Sequence, residues 1–411
     1  MKNTLLKSLL KAKTAQTDEI EVLIEKYLRD VTKTNKQQSA AFVSELLVYI
    51  MQNVENLNKE VLLSVVESKL SHLSYSVETA ALEEIHTKAA AAVASSVGAT
   101  FSFDKTDAEV LDSMYRALTW MKDDAAANSS GKLKSIIADA MKGEVTMAKL
   151  GETLRQGFEG VVDESARYFE GVSDHIIRQS QSVTRAYQFE KAGVKEVKVV
   201  AVMDGKTSQI CKSMDGRIIP IRTVVKQADG ILKAQSIAEK KNVSEWQSQP
   251  IFSRVLPDKV ALPPYHFRCR TIVVAFFRQE TDINGKNANG SLLPGEIYRG
   301  KKVRFSHVDR FGYERVVTEK TNNHGGNGHP DMTDNKILKA INGMDRLASH
   351  GSFADRTVGL NKDKQVFFSF KGAEVWTAFK QNRKDYFDDQ KVGPVELLDA
   401  NTKKGADNAS M

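Results

Sequence analysis

Apolar residues recur at helical spacing through the first third of the chain. Ile20, Leu23, Ile24, Tyr27, Leu28 and Val31 make one stripe, and Phe42, Val43, Leu46, Leu47, Ile50, Met51 and Val54 make a second. Val61, Leu62, Val65, Val66 and Leu70 make a third, and the alanine-rich run Ala89 to Ala94 favours helix and close packing. Val110, Leu111, Met114, Leu118 and Met121 predict a further helix, and Leu133, Ile136, Ile137 and Met141 another. Asp18 with Glu21 is placed as a capping box for the first stripe. Breaks are expected at Val97-Gly98, at Asn128-Ser129-Ser130-Gly131 and at Lys142-Gly143. No proline occurs before Pro220. Residues 1–145 therefore predict an α-helical assembly or docking region whose stripes are core, with no catalytic constellation.

The pattern changes from Thr146. Leu150, Leu154 and Phe158 continue a helix, and Ser165 to Lys191 predicts a longer one. Glu196 to Met203 alternates as a strand, with Val197, Val199 and Ala201 on one face. Asp204-Gly205 and Asp215-Gly216 are turns, and Thr207 is placed as the cap of a short helix carrying Cys211. Arg217 to Ile221 and Thr271 to Phe277 predict two more strands, with a helical insertion over about 223–250. Residues 146–280 thus make a small α+β module. Residues 281–292, polar and rich in Gly and Asn, are expected to be a linker. Residues 293–400 predict a separate C-terminal α+β domain: weak alternation over Val303 to Val317, a helix over Asn335 to Ala348 and a strand over Gln365 to Phe370. Residues 401–411 are expected to be a flexible tail. The fold class is α+β.

Composition narrows the picture modestly. A hydrophobic content of 41% in 411 residues is enough for two or three packed domains. No apolar run approaches the roughly 18 residues needed to span a bilayer. Met1 to Leu10 is basic and partly apolar but lacks a long apolar region and a cleavage site, so it reads as an amphipathic helix or arm rather than a signal peptide. A net charge of +7 and a pI of about 9.0 fit contact with nucleic acid and fit an ordinary solvated surface equally well.

The chemistry sits in two short motifs. Asp204-Gly205-Lys206-Thr207-Ser208-Gln209-Ile210-Cys211 is followed by Asp215-Gly216, and Pro263-Pro264-Tyr265-His266-Phe267-Arg268-Cys269-Arg270 lies further on. They hold the only two cysteines of the chain. Two cysteines make no disulfide framework, which points to a reducing compartment. Zinc takes thiolate and imidazole ligands in tetrahedral geometry. Cys211, His266 and Cys269 supply three, Asp204 is the first candidate for the fourth and Asp215 the second. Pro263-Pro264 stiffens the approach to His266-x-x-Cys269, and a metal there is structural because no acid/base pair accompanies it. Two other readings stay open: an unmetallated hydrogen-bonded cluster, and a Cys211–Cys269 disulfide in an oxidising environment. Arg270 is a partner for Asp204 or Asp215 in either case.

Asp204, Thr207, Cys211, Asp215, Gly216, Pro263, Pro264, His266, Cys269 and Arg270 fall in order on one pattern. It resembles that of the phage head-morphogenesis family, whose type members are the minor head proteins of tailed phages. The resemblance covers about residues 145–280. It implies a non-catalytic, low-copy component of the virion head or procapsid, present in the host cytoplasm during assembly. The implied partners are the phage portal protein, major capsid or scaffold proteins and packaged double-stranded DNA. The implied role is in procapsid assembly, DNA packaging and DNA exit. The chain departs from the family at Arg178-Gln179-Ser180-Gln181, where relatives often carry an acidic residue beside an Arg, and this puts a buried ion pair there in doubt.

Three weaker signals complete the reading. The loop Asn322 to Pro330 carries His324 and His329 among glycines, without the Lys-Ser/Thr that a P-loop needs. Ile297-Tyr298-Arg299-Gly300 resembles the Arg-bearing strand of ADP-ribosyltransferases, but no Glu-x-Glu follows; a virion-delivered effector enzyme is the first alternative function. Lys301, Lys302 and Arg304, with Lys380, Arg383 and Lys384, are interleaved with Phe305, Phe311, Tyr313, Phe367, Phe368, Phe370, Trp376 and Phe379. Those cations are candidates for phosphate contact, and a general duplex-DNA-binding protein is the second alternative. The opposing reading makes the aromatics core and the charges a solvated face.

Overall fold

The computed structural model describes residues 2–56, 59–141, 146–323, 329 and 331–398, with side chains from residue 19 onward, residue 59 excepted. The chain is α+β and divides into two compact units, residues 1–184 with 231–240, and residues 185–230 with 241–411.

The first unit is helical. Its elements are α1 (Lys2–Asn53), α2 (Lys59–Leu70), α3 (Ala80–Ser96), α4 (Lys105–Ala140) and the greater part of α5 (Met147–Lys191). The stripes bury as their spacing predicts: Ile24, Ile50, Leu62, Val66, Leu82, Leu118, Leu133, Ile137 and Leu154 are fully enclosed in one core. The first two stripes belong to a single helix. Nothing between them breaks it, and Asn35 bridges the polar stretch by donating to Val31 O and Ser76 O. The helix also runs through Asp18, so there is no capping box; Glu21 instead receives Arg178 at 3.0 and 3.2 Å. Arg178 also binds Asp174 at 2.7 Å, so a partly buried ion-pair cluster forms in this stretch.

The expected break at Asn128 to Gly131 is absent. Ser129, which could have competed with the helix backbone, is buried between Tyr75 OH and Ser165 Oγ, at 2.9 and 2.7 Å, inside continuous α4. A real capping box opens that helix, with Asp104 and Asp107. The break at Val97-Gly98 is present, with Gly98 at φ +75°. Lys2 to Leu10 belong to α1, but their side chains, Lys142-Gly143, most of the 322–330 loop and residues 402–411 lie outside the described residues. No described helix is long and apolar enough to cross a membrane.

The second unit begins within α5, after Thr184. β1 (Glu196–Val200), α6 (Gln209–Met214), β2 (Ile218–Pro220), α7 (Ile221–Lys233), α8 (Ile237–Val243) and β3 (Ile272–Phe276) follow. In this run Ile231–Lys240, the end of α7 and most of α8, is excluded from the second unit and belongs to the first. β1 lies between β2 and β3, antiparallel to both. Val197 and Val199 are fully buried on its inner face.

β4 (Thr281–Asp282) and β5 (Asn287–Ala288) then form a hairpin where a linker is expected. Asn284 and Gly285, at φ +52° and +79°, make its turn. Ala288 is fully buried and Gly290 N donates to Ser306 O, so this segment is packed into the unit.

The rest is an eight-stranded sheet of β6 (Ile297–Tyr298), β7 (Lys301–Val308), β8 (Glu314–Thr318), β9 (Arg346–His350), β10 (Thr357–Asn361), β11 (Val366–Lys371), β12 (Glu374–Lys380) and β13 (Lys391–Leu397), with α9 (Asp334–Asn342) and α10 (Tyr386–Gln390). Its order is β13-β9-β10-β11-β12-β8-β7-β6. All pairings are antiparallel except β12 with β8. The helix expected over Asn335 to Ala348 ends at Asn342, because Gly343 caps it and β9 begins three residues later. Phe305, Phe311, Tyr313, Phe367, Phe368 and Phe370 are core, which settles those aromatics as packing. The module expected over 146–280 is therefore split: residues 146–184 and 231–240 belong to the helical unit, and the remainder makes one body with the C-terminal region, joined by an Arg217–Tyr313 bridge and by the bonds described next.

Candidate metal centre

α6 is short and begins at Ser208, whose Oγ accepts from Cys211 N. This puts Cys211 one turn into the helix, facing inward and 3% exposed. The other wall is the buried loop before β3. Pro263 and Pro264, joined by a cis peptide bond, are buried, and Tyr265 is 1% exposed. His266 is half-buried and Cys269 is 1% exposed.

The three donor side chains meet. Cys211 Sγ lies 3.1 Å from His266 Nε2 and 3.5 Å from Cys269 Sγ. All three donor atoms lie within 4.8 Å of one another. Ligand bonds of about 2.3 Å to sulfur and 2.0–2.1 Å to nitrogen put tetrahedral donors about 3.8 and 3.5 Å apart, so a few tenths of an ångström of expansion admits zinc. The thiols are free rather than bridged. His266 Nδ1 donates to Phe267 O at 2.8 Å, which leaves the Nε2 lone pair facing the sulfurs, the outer contact usual for a metal-binding imidazole. Backbone N–H groups of Thr271 and Tyr265 point at Cys269. The hydrogen bond from Cys211, with help from His266 and those amides, holds the Cys269 thiol far below its ordinary range, against the effect of burial. The same bond and burial push Cys211 up. Pairing with Cys269 raises the imidazole pKa of His266. The donor set and its spacing fit zinc.

Asp204 does not join this cluster. Its Oδ1 accepts from Arg270 Nη2 at 2.8 Å and from Lys206 N at 2.9 Å. The expected fourth ligand is taken because Arg270, next to Cys269, arrives on the same side of the turn. Arg270 holds the Asp204 carboxyl well below the usual range. Thr207 closes this turn by accepting from Asp204 N and donating to Val202 O. The helix cap expected at Thr207 therefore falls to Ser208.

Asp215, the second candidate, is 2% exposed and serves another purpose. It accepts from Ala201 N at 2.9 Å, Ala373 N at 2.8 Å and Arg299 Nη2 at 3.0 Å from each oxygen. Its neighbour Gly216 has φ +83°, and a side chain there would meet Ala373 Cβ at 2.8 Å and Glu314 O at 2.9 Å. The Asp-Gly of the motif is therefore the joint to the eight-stranded sheet. Arg299, read from sequence beside an enzyme-like strand, is the counter-ion of this joint and also donates to Ala201 O. Glu314, fully buried, is a second joint. Burial opposes its charge, but Lys198 and the amide of Ser291 hold its carboxyl below the usual range.

The basic candidates divide. Lys301 binds both oxygens of Glu374 at 2.7 Å, Arg304 pairs with Asp334, and Arg383 pairs with Asp385 and Asp389. Lys302, Lys380 and Lys384 are exposed, with no carboxylate partner among the described residues. Sequence reasoning missed Ser208, Thr271, Lys198 and Glu314, since nothing in their local pattern distinguishes them from other polar residues. No family model, no curated protein and no solved structure matches this chain.

Proposed function

We propose that this chain is a minor head protein of a tailed phage or prophage. It associates with the portal and acts in procapsid assembly and in the packaging and exit of DNA. The observation that supports this most is the convergence of the motif residues. Cys211 meets His266, 55 positions on, and Cys269, Asp204 meets Arg270 beside them, and Asp215-Gly216 follows at the end of the helix that carries Cys211. Zinc, held by Cys211, His266 and Cys269, supplies a cross-link and no bond-making step. This chain's own residues do the rest: Arg270 clasps the outer turn and Asp215 locks the inner one. The helical unit is the docking region for portal and for capsid or scaffold proteins. Lys302, Lys380 and Lys384 are the side chains free to touch packaged double-stranded DNA, through phosphates and in a salt-dependent way.

The test is quantitative mass spectrometry of procapsids and mature particles produced by the element that encodes this chain. A few copies per portal in procapsids is the expected result, and the ratio between particle types tells whether the protein is retained. Absence from both particle types overturns the assignment.

A further inference from the structure

Only three metal-donor side chains meet at the Cys/His cluster among the described residues. The two nearby carboxylates are committed elsewhere, Asp204 to Arg270 and Asp215 to Arg299. Zinc takes four ligands; structural sites draw all four from protein, and sites with three protein ligands keep a position for something else. Around this cluster the remaining polar groups are hydroxyls. Ser208 Oγ lies 2.8 Å from His266 Nε2, and the Thr271 side chain hydrogen-bonds Cys211. Neutral hydroxyls are not among zinc's usual protein ligands. Ser208 and His266 are half-buried while both sulfurs are enclosed, so the cluster meets solvent on the side where Ser208 sits. Because His266 Nδ1 donates to Phe267 O, Ser208 Oγ donates to the Nε2 lone pair that a metal would take.

We propose that this is a three-ligand site whose fourth position, lined by Ser208, accepts a small thiol from outside the chain. The inference rests on the metal reading above. Two thiolates make the site soft, and soft sites favour a further sulfur donor. The intervening side chain, Ser208, is short enough to leave room for one.

The experiment loads the full, untagged chain with cobalt(II) in phosphine-reduced buffer and titrates it with 2-mercaptoethanol. The sulfur-to-cobalt absorption is expected to rise as the thiolate count goes from two to three, by about half if each thiolate contributes equally. Ser208→Cys is expected to reach that intensity with no added thiol and to stop responding to it. A four-coordinate spectrum in the unaltered chain that excess thiol leaves unchanged overturns the proposal, since the fourth position then takes no external thiol. Failure of the unaltered chain to give any sulfur-to-cobalt band overturns the metal reading itself, and this proposal with it.

Discussion

Asp215→Ala is expected to destabilise the β-rich unit by about 2–4 kcal/mol, because it removes a buried carboxylate and leaves its buried donors unsatisfied at about 1–3 kcal/mol each, while its exposed partner Arg299 keeps its solvation. Two buried backbone amides, of Ala201 and Ala373, lose their acceptor in the same step. These bonds join β1, the motif turn and the tight turn before β12, so the loss falls on both parts of the unit together. Gly372 shows how closely the site is built: at φ +61°, any side chain there would collide with Asp215 Oδ2. Urea denaturation of the variant checks the magnitude. A double-mutant cycle with Arg299→Ala isolates the pair, and a coupling well above the few tenths of a kcal/mol typical of independent sites is expected. A loss below about 1 kcal/mol would place Asp215 among ordinary surface pairs.

Removing the metal is expected to have the second largest effect. A ligand held a hundredfold above its Kd stabilises by about 2.7 kcal/mol. For a unit of this size that corresponds to a fall in Tm of about 5–10 °C on chelation. Cys269→Ser is expected to start at the lower Tm and to be insensitive to chelator. Because zinc would join α6 to the loop before β3, the change should also appear as loss of protection in both segments. An unchanged Tm after complete chelation would mean that the hydrogen bonds of the cluster suffice to hold them.

Much of the helical unit was legible because amphipathic spacing is a local signal. Ile24, Ile50, Leu62 and Leu133 announce the faces they bury. Continuity was harder to read. The polar stretch after Val31 resembles a boundary, and only the distant Ser76 shows how Asn35 carries the helix across it. Serines at 129 and 130 resemble a break until Tyr75, 54 residues away, supplies a buried partner.

The Cys/His cluster was legible because its donors are rare residue types in a short pattern. Its carboxylates were not. Asp204 and Asp215 both read as ligands in one dimension, Asp204 ahead of Asp215. Arg270 and Arg299 decide between them, and Arg299 lies 84 residues from Asp215. The supposed linker shows the same limit. Asn284-Gly285 serves a flexible segment and a tight hairpin turn alike, and the burial of Ala288 distinguishes them only in three dimensions. Likewise, the charges of Lys301, Arg304 and Arg383 looked available for DNA until the fold placed carboxylates beside them, from β12, α9 and the start of α10.

The most direct measurement is the zinc content of the full chain, produced without an affinity His-tag and analysed by elemental mass spectrometry beside Cys211→Ser and Cys269→Ser. About one equivalent in the unaltered protein, lost in both variants, is the result expected of a metal held by Cys211, His266 and Cys269. Less than about a tenth of an equivalent in the unaltered protein, after growth with ample zinc, would contradict it and leave a hydrogen-bonded thiol cluster in its place.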